Sequence, residues 1–76
     1  MTHIILPELG EGIKNATVAF WHAKEGDRVN AGDDICEVTT DKATFNVEAP
    51  VSGQLKSIAI KQGQDGPVGG ILGIIE

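Results

Sequence analysis

The side chains in this 76-residue chain that could carry chemistry are eleven Asp and Glu carboxylates, two imidazoles, one thiol and a few amines. Glu8 with Glu11, and Asp33, Asp34 and Glu37, stand close enough in sequence to be read as acid/base pairs. Such pairs need an environment that drives their pKa values apart, and on a small domain without a cleft they are expected as solvated surface groups. His3 and His22 have no cysteine or histidine at ligand spacing. Cys36 is alone, which excludes an intrachain disulfide and any paired-cysteine metal centre, and it reads as a small buried residue of a reducing compartment. Gly10-Glu11-Gly12 has no strand-to-helix unit around it and is not a phosphate loop. The amine of Lys42 remains. Asp41 and Lys42 fall between one β-forming segment ending Val38-Thr39-Thr40 and another beginning Ala43-Thr44-Phe45. Asp favours a turn there, and without glycine a type I turn is expected rather than type I′. A lysine in a turn is ordinarily no more than a solvated charge, so its neighbourhood must decide.

The elements that would position Lys42 are strands. Ten glycines and three prolines cut the chain into short β-branched pieces, and no window keeps helical spacing for three turns. Thr44 to Ala49 is the clearest strand: Phe45, Val47 and Ala49 alternate with Thr44, Asn46 and Glu48, so Phe45 and Val47 are expected to face the core. Further strands are expected at 3–7, 16–22, 34–40, 53–60 and 70–76, with short ones at 28–30 and 66–68. The chain also resembles itself at an offset of 37 residues: Lys24 falls on Lys61, Gly26 on Gly63, Gly32 on Gly69, Val18 on Leu55, Ile35 on Leu72 and Val38 on Ile75. In both halves apolar residues stand three apart, Val18 with Trp21 and Leu55 with Ile58, which breaks strict alternation and predicts a bulge in each. Two such halves make a pseudo-two-fold sandwich. The Lys42 turn then corresponds to the gap between the chain ends, and the two are expected at opposite poles.

Composition narrows the functional classes. The length fits one domain, 1–76, whose thin core suits a module better than a multi-step enzyme. A net charge of −5, no basic stripe and three aromatics, Phe20, Trp21 and Phe45, argue against nucleic acid, and Trp21 is expected in the core rather than on a binding platform. The stretch Met-Thr-His-Ile-Ile-Leu lacks the basic n-region and long apolar run of a secretory signal, and no apolar run approaches membrane-spanning length. A soluble, intracellular module is expected.

Asp41-Lys42-Ala43 between two strands resembles the attachment site of the biotinyl/lipoyl carrier domains, and the flanks agree along the whole chain. They are Leu6-Pro7-Glu8-Leu9-Gly10-Glu11-Gly12-Ile13, Trp21, Glu25-Gly26-Asp27-Arg28-Val29, Glu37-Val38, Val47-Glu48-Ala49-Pro50, Gly53 and Ile74-Ile75-Glu76. The resemblance implies an all-β fold, a flattened barrel or barrel-sandwich hybrid of two four-stranded antiparallel sheets. It also implies a non-catalytic carrier with lipoic acid in amide linkage to Lys42. Biotinyl carriers flank their lysine with methionines; here Asp41 and Ala43 stand there and Met1 is the sole methionine, which favours lipoyl over biotinyl. A biotinyl carrier of a carboxylase and an unmodified adaptor are the alternatives. The partners implied are a lipoate ligase or lipoyltransferase, a thiamin-diphosphate decarboxylase that acylates the arm, an acyltransferase core that passes the acyl group to coenzyme A, and dihydrolipoamide dehydrogenase, which reoxidises the dithiol. In the family the loop corresponding to Glu8–Asn15 lies near the lysine and helps the decarboxylase select its carrier, which makes Glu8, Glu11 and Lys14 candidate recognition residues. Two positions depart from the family pattern: Thr39 replaces an acid, and Gln64 replaces the Asp of a second Gly-Asp pair. The segment Gly63–Gly69 resembles a lengthened loop of some pyruvate dehydrogenase acyltransferases, so pyruvate is the expected 2-oxo acid. The chain is expected to be a monomeric piece of a longer acyltransferase, in a bacterial cytoplasm or a mitochondrial matrix.

Overall fold

Eight short strands account for all the regular structure of the computed structural model, which describes residues 1–76: β1 (Thr2–Ile5), β2 (Asn15–Trp21), β3 (Arg28–Val29), β4 (Asp34–Thr39), β5 (Thr44–Glu48), β6 (Gly53–Ile58), β7 (Asp65–Pro67) and β8 (Ile71–Ile75). They form two antiparallel four-stranded sheets, ordered β1-β8-β6-β3 and β5-β4-β2-β7. All eight expected strands are present; β2 and β7 keep the expected length but start one residue earlier, and the other six are slightly shorter. Ala49 is the instructive overshoot: it lies beyond β5 yet is buried, because its N–H donates to the Asp33 carbonyl (2.8 Å) and its own carbonyl accepts from Gly32 (2.9 Å).

The internal repeat is a symmetry of the fold. At the 37-residue offset β2, β3 and β4 become β6, β7 and β8, and the sheet orders map onto one another with β5 taking the place of β1. The predicted bulges are there at matched positions: the β2/β4 register slips between Val18 and Phe20, and the β6/β8 register slips between Leu55 and Ser57. Each slip lets Val18 or Leu55 stay in the core while the strand bends around it. The β2–β3 and β6–β7 turns also match. The Lys24 amide donates to the Asp27 carboxylate at 2.9 Å, and the Lys61 amide donates to the Gln64 side-chain oxygen at 2.8 Å. Gln64 therefore does the work of the missing Asp, since either side chain offers an sp² oxygen at reach. Gly26 and Gly63 sit in these turns at φ 96° and 87°, a region that a β-carbon makes costly.

Between the sheets lie Ile4, Leu6, Val18, Ile35, Cys36, Val38, Val47, Leu55, Leu72 and Ile75, all essentially inaccessible to solvent. Of the two aromatics assigned to the core, Phe45 is half-buried against it, and Trp21 is half-buried with its indole N–H donating to the Ile60 carbonyl at 2.8 Å. The Cys36 thiol is pushed up to about 12, chiefly by desolvation and secondarily by the Glu37 charge, so it stays protonated at neutral pH.

Where the halves differ is informative. Thr2 stands opposite Ile75 as Phe45 stands opposite Val38, so β1 and β5 correspond at an offset of 43, against 37 for the later strands. The difference, six residues, is extra length in the β1–β2 connection, residues 6–14. That connection enters β2 at Asn15, in the end of the second sheet that also holds the β4–β5 tip, since Thr17 pairs with both Thr39 and Asp65.

Candidate functional site

Lys42 sits where β4 folds back into β5. The last ladder pair is Thr39 with Thr44, leaving residues 40–43 to make the reversal. The Thr40 N–H donates to the Ala43 carbonyl at 2.8 Å, as in a two-residue hairpin. The reciprocal main-chain bond of the expected type I turn is absent. In its place the Ala43 N–H donates to the Thr40 hydroxyl at 3.2 Å, and the Lys42 N–H donates to the same oxygen at 3.2 Å. Thr40 therefore organises the reversal, in the manner of a hydroxyl capping the first turn of a helix, and Asp41, assigned that task from sequence, takes no hydrogen-bonding part in it. The absence of any positive φ outside glycine agrees with the exclusion of a type I′ turn.

Asp41, Lys42 and Ala43 are all exposed. Lys42 has no ion-pair partner, the one salt bridge of the molecule joining Lys56 to Glu76 at 3.8 Å. A free ammonium on a turn held by hydrogen bonds suits covalent modification from outside: the amine is reachable, and no buried partner loses its counter-charge when acylation neutralises it.

The chain ends lie at the other pole. Glu76 and Gln54 exchange main-chain hydrogen bonds of 2.9 and 3.1 Å, Gln54 pairs with Arg28, and the chain from β3 then turns through residues 30–33 into the start of β4. The six residues of β4 separate that turn from the Lys42 reversal, a span of roughly 20 Å in a molecule 32 Å long.

The extra residues of the β1–β2 connection form one wall of an open groove of about 550 Å³ beside the reversal, lined by residues 11–17, 39–42 and Asp65. This concavity was not anticipated. Leu9 packs against the core, the Lys14 carbonyl accepts from Val68 (2.8 Å), and the Ile13 amide closes a turn onto the Gly10 carbonyl (3.2 Å), so the wall is fastened at both ends. Of the proposed recognition residues, Glu11 and Lys14 line the groove with Lys42 and Asp41. Glu8 is exposed but outside it, before the anchor Leu9. Sequence reasoning missed Asp65, whose carboxylate accepts from the Thr17 hydroxyl on the groove floor. The remaining carboxylates are dispersed; Asp33, read as merely solvated, accepts from the Asn30 amide at 3.0 Å and holds its own turn. His3 lies on β1 and His22 just after β2, in different sheets.

A family model described as Biotin-requiring enzyme, the biotin/lipoyl family, matches residues 2–75. The chain belongs to that family. Its relatives put it on the lipoyl side. It is 44% identical over 73 residues to the dihydrolipoyllysine-residue acetyltransferase component of the mitochondrial pyruvate dehydrogenase complex of Caenorhabditis elegans, covering 95% of this chain and 14% of the relative. It is 42% identical over 72 residues to the lipoamide acyltransferase component of the branched-chain alpha-keto acid dehydrogenase complex of Pseudomonas aeruginosa, covering 93% and 17%. Among solved structures it matches the lipoyl domain of the 2-oxoglutarate dehydrogenase complex from Azotobacter vinelandii, at 32% identity and a TM-score of 0.80, over 100% of this chain and 96% of that one. That likeness covers both sheets, so the fold expected from the resemblance is the fold observed. The chain spans only about one-sixth of the length of its curated relatives, and these come from complexes for three different 2-oxo acids.

Proposed function

We propose that this lipoyl domain receives lipoic acid on Lys42 and serves as the swinging carrier of a 2-oxo acid dehydrogenase complex, within a longer acyltransferase chain. The observation that carries the reading is the exposed, ion-pair-free Lys42 on a hydrogen-bonded reversal at the pole remote from the chain ends. Attachment forms one C–N bond between Nζ and the carbonyl carbon of an activated lipoyl donor; the donor's leaving group departs and the amine gives up a proton. The formal charge of the domain falls from −5 to −6. Bound lipoate supplies a dithiolane that accepts an acyl group with two electrons and yields that group to coenzyme A as a thioester. The chain's own residues do the rest: β4 and β5 hold the attachment point outward, Thr40 fixes its backbone, and the groove presents a surface that a decarboxylase can read. A tether at the chain ends would leave the Lys42 pole free and raise its effective concentration at each partner site.

The test is mass spectrometry after incubation with lipoate ligase, lipoate and ATP. One lipoyl adduct is expected, absent from Lys42→Ala. An adduct formed only with biotin ligase and biotin, or no adduct with either, overturns the reading.

Pyruvate is the 2-oxo acid we favour, supported by the resemblance of Gly63–Gly69 to a loop of pyruvate-complex acyltransferases. Comparing reductive acylation by decarboxylases specific for pyruvate, 2-oxoglutarate and branched 2-oxo acids tests the choice, and faster acylation by either of the other two reverses it. The groove makes a finer prediction. With Lys42 neutralised, Glu11, Asp41 and Asp65 face Lys14 alone, so reversing Glu11 or Lys14 changes the field that the decarboxylase meets. Glu11→Lys and Lys14→Glu are each expected to slow reductive acylation by about tenfold with unchanged unfolding, whereas Glu8→Lys, outside the groove, changes it less. Equal rates for Glu11→Lys, Lys14→Glu and the parent would remove the groove from recognition.

A further inference from the structure

We infer that Thr40 is a positioning residue for the acylation of Lys42, a role that rests on Lys42 being the lipoylated lysine. A threonine hydroxyl has one proton to give and two lone-pair sites to fill. At Thr40 all three are engaged within the reversal: the hydroxyl donates to the Ala43 carbonyl at 3.2 Å and accepts from the Lys42 and Ala43 amides, each at 3.2 Å. Those amides have no other acceptor in the protein. The hydroxyl thus ties the backbone of the modified residue directly to the end of β4, and Thr40 itself is half-buried in the groove wall, where water competes less well for the same bonds.

The Thr40 N–H also donates to the Ala43 carbonyl at 2.8 Å, but that bond leaves the Lys42 amide unheld, and no other side chain in the reversal reaches it. No glycine lies between residues 40 and 43, so the tight turns that close a hairpin by positive φ are not open to it. The Asp41 carboxylate makes no hydrogen bond. Loss of the hydroxyl leaves the two sheets intact and lets the Lys42 backbone wander. An enzyme that must bring Nζ onto an acyl carbon is sensitive to displacements on the order of 1 Å.

The experiment compares the parent domain with Thr40→Val, which keeps the side chain's shape, and Thr40→Ser, which keeps its hydroxyl. Rates of lipoylation by lipoate ligase with lipoate and ATP are followed by mass, and amide hydrogen exchange at residues 41–43 by NMR. Thr40→Val is expected to lose about tenfold in kcat/KM, mainly in kcat, and to exchange faster at Lys42 and Ala43. Thr40→Ser is expected to recover both to within about twofold. A Thr40→Val domain lipoylated at the parent rate overturns the inference, as does a Thr40→Ser domain no better than Thr40→Val. If Thr40→Val does not fold, the parent decides: Lys42 and Ala43 amides that exchange no more slowly than that of Asp41 rule out the capping hydroxyl. A parent that accepts no lipoate defeats the functional reading itself, an outcome separate from these.

Discussion

Exchanging two neighbours, Lys42→Ala with Ala43→Lys, is expected to reduce lipoylation by about a hundredfold or more while the domain stays folded. Composition and net charge are identical in parent and variant, so bulk electrostatics cannot account for a change. Only geometry differs. Both amides donate to the Thr40 hydroxyl, but residue 42 lies within the reversal, whereas residue 43 is also joined to β4 through its carbonyl, which accepts from the Thr40 amide at 2.8 Å. Successive residues entering β5 point to opposite sides, so a lysine at 43 leaves the tip on a different heading. Both positions are exposed, and surface exchanges of this kind shift stability by about half a kcal/mol or less. Measuring the adduct by mass against time, with thermal unfolding as control, checks both halves of the statement. A variant lipoylated as fast as the parent would mean that the ligase reads sequence near the tip rather than the place of the amine, and the argument from the reversal would fail.

How much of this was legible beforehand differs between the fold and the site. The eight strands and both bulges could be read because burial imposes a periodicity on one-dimensional sequence: Val18 with Trp21 and Leu55 with Ile58 stand three apart where two would keep alternation. The sandwich could be read because the repeat carries its turn residues with it, Gly26 with Gly63 and Gly32 with Gly69. Lys42 was found through its neighbours, since an exposed lysine has no signature of its own. Thr40 was passed over for the opposite reason. A threonine at the end of a β-branched run looks like one more strand residue, and its hydroxyl matters only after the chain has folded back on it; a hydroxyl residue two places before the lysine, in a turn lacking glycine, was the available hint. The family resemblance implies a loop near the lysine, but the groove itself and the part of Asp65 in it were invisible because residues 11–17, 39–42 and 65 are far apart in sequence. Its trace was arithmetical. Ile4 and Leu6 match Val47 and Ala49 at 43 residues, not 37, which marks six extra residues in the first half beside the site.

The second large effect is on stability. Leu55→Ala is expected to cost about 3 kcal/mol, and the matched Val18→Ala distinctly less. Both side chains sit at the apex of a bulge and are wholly enclosed between the sheets, Leu55 at 0% and Val18 at 1% exposure. Local environment is therefore nearly constant across the pair, and the difference comes from what is removed: three carbons from Leu55 against two from Val18. The Leu55 site, like that of Val18, has little room to collapse. Its N–H donates to the Asp27 carbonyl at 2.8 Å, and its carbonyl accepts from Gly26 at 2.7 Å, which pins the backbone. On one side, Gly53 holds the strand so close to its neighbour that an added β-carbon would lie 2.6 Å from the Glu76 carbonyl oxygen. A small domain whose total stability is on the order of 5 to 10 kcal/mol loses a large share of it to such a cavity, so the denaturant midpoint should fall steeply with an unchanged slope. Because β6 lies in the sheet opposite the one that carries Lys42, the folded fraction of Leu55→Ala should still be lipoylated at the parent rate. Equal losses for Leu55→Ala and Val18→Ala would contradict the packing account, and a folded Leu55→Ala domain that lipoylates slowly would show that the two sheets are not independent in presenting the lysine.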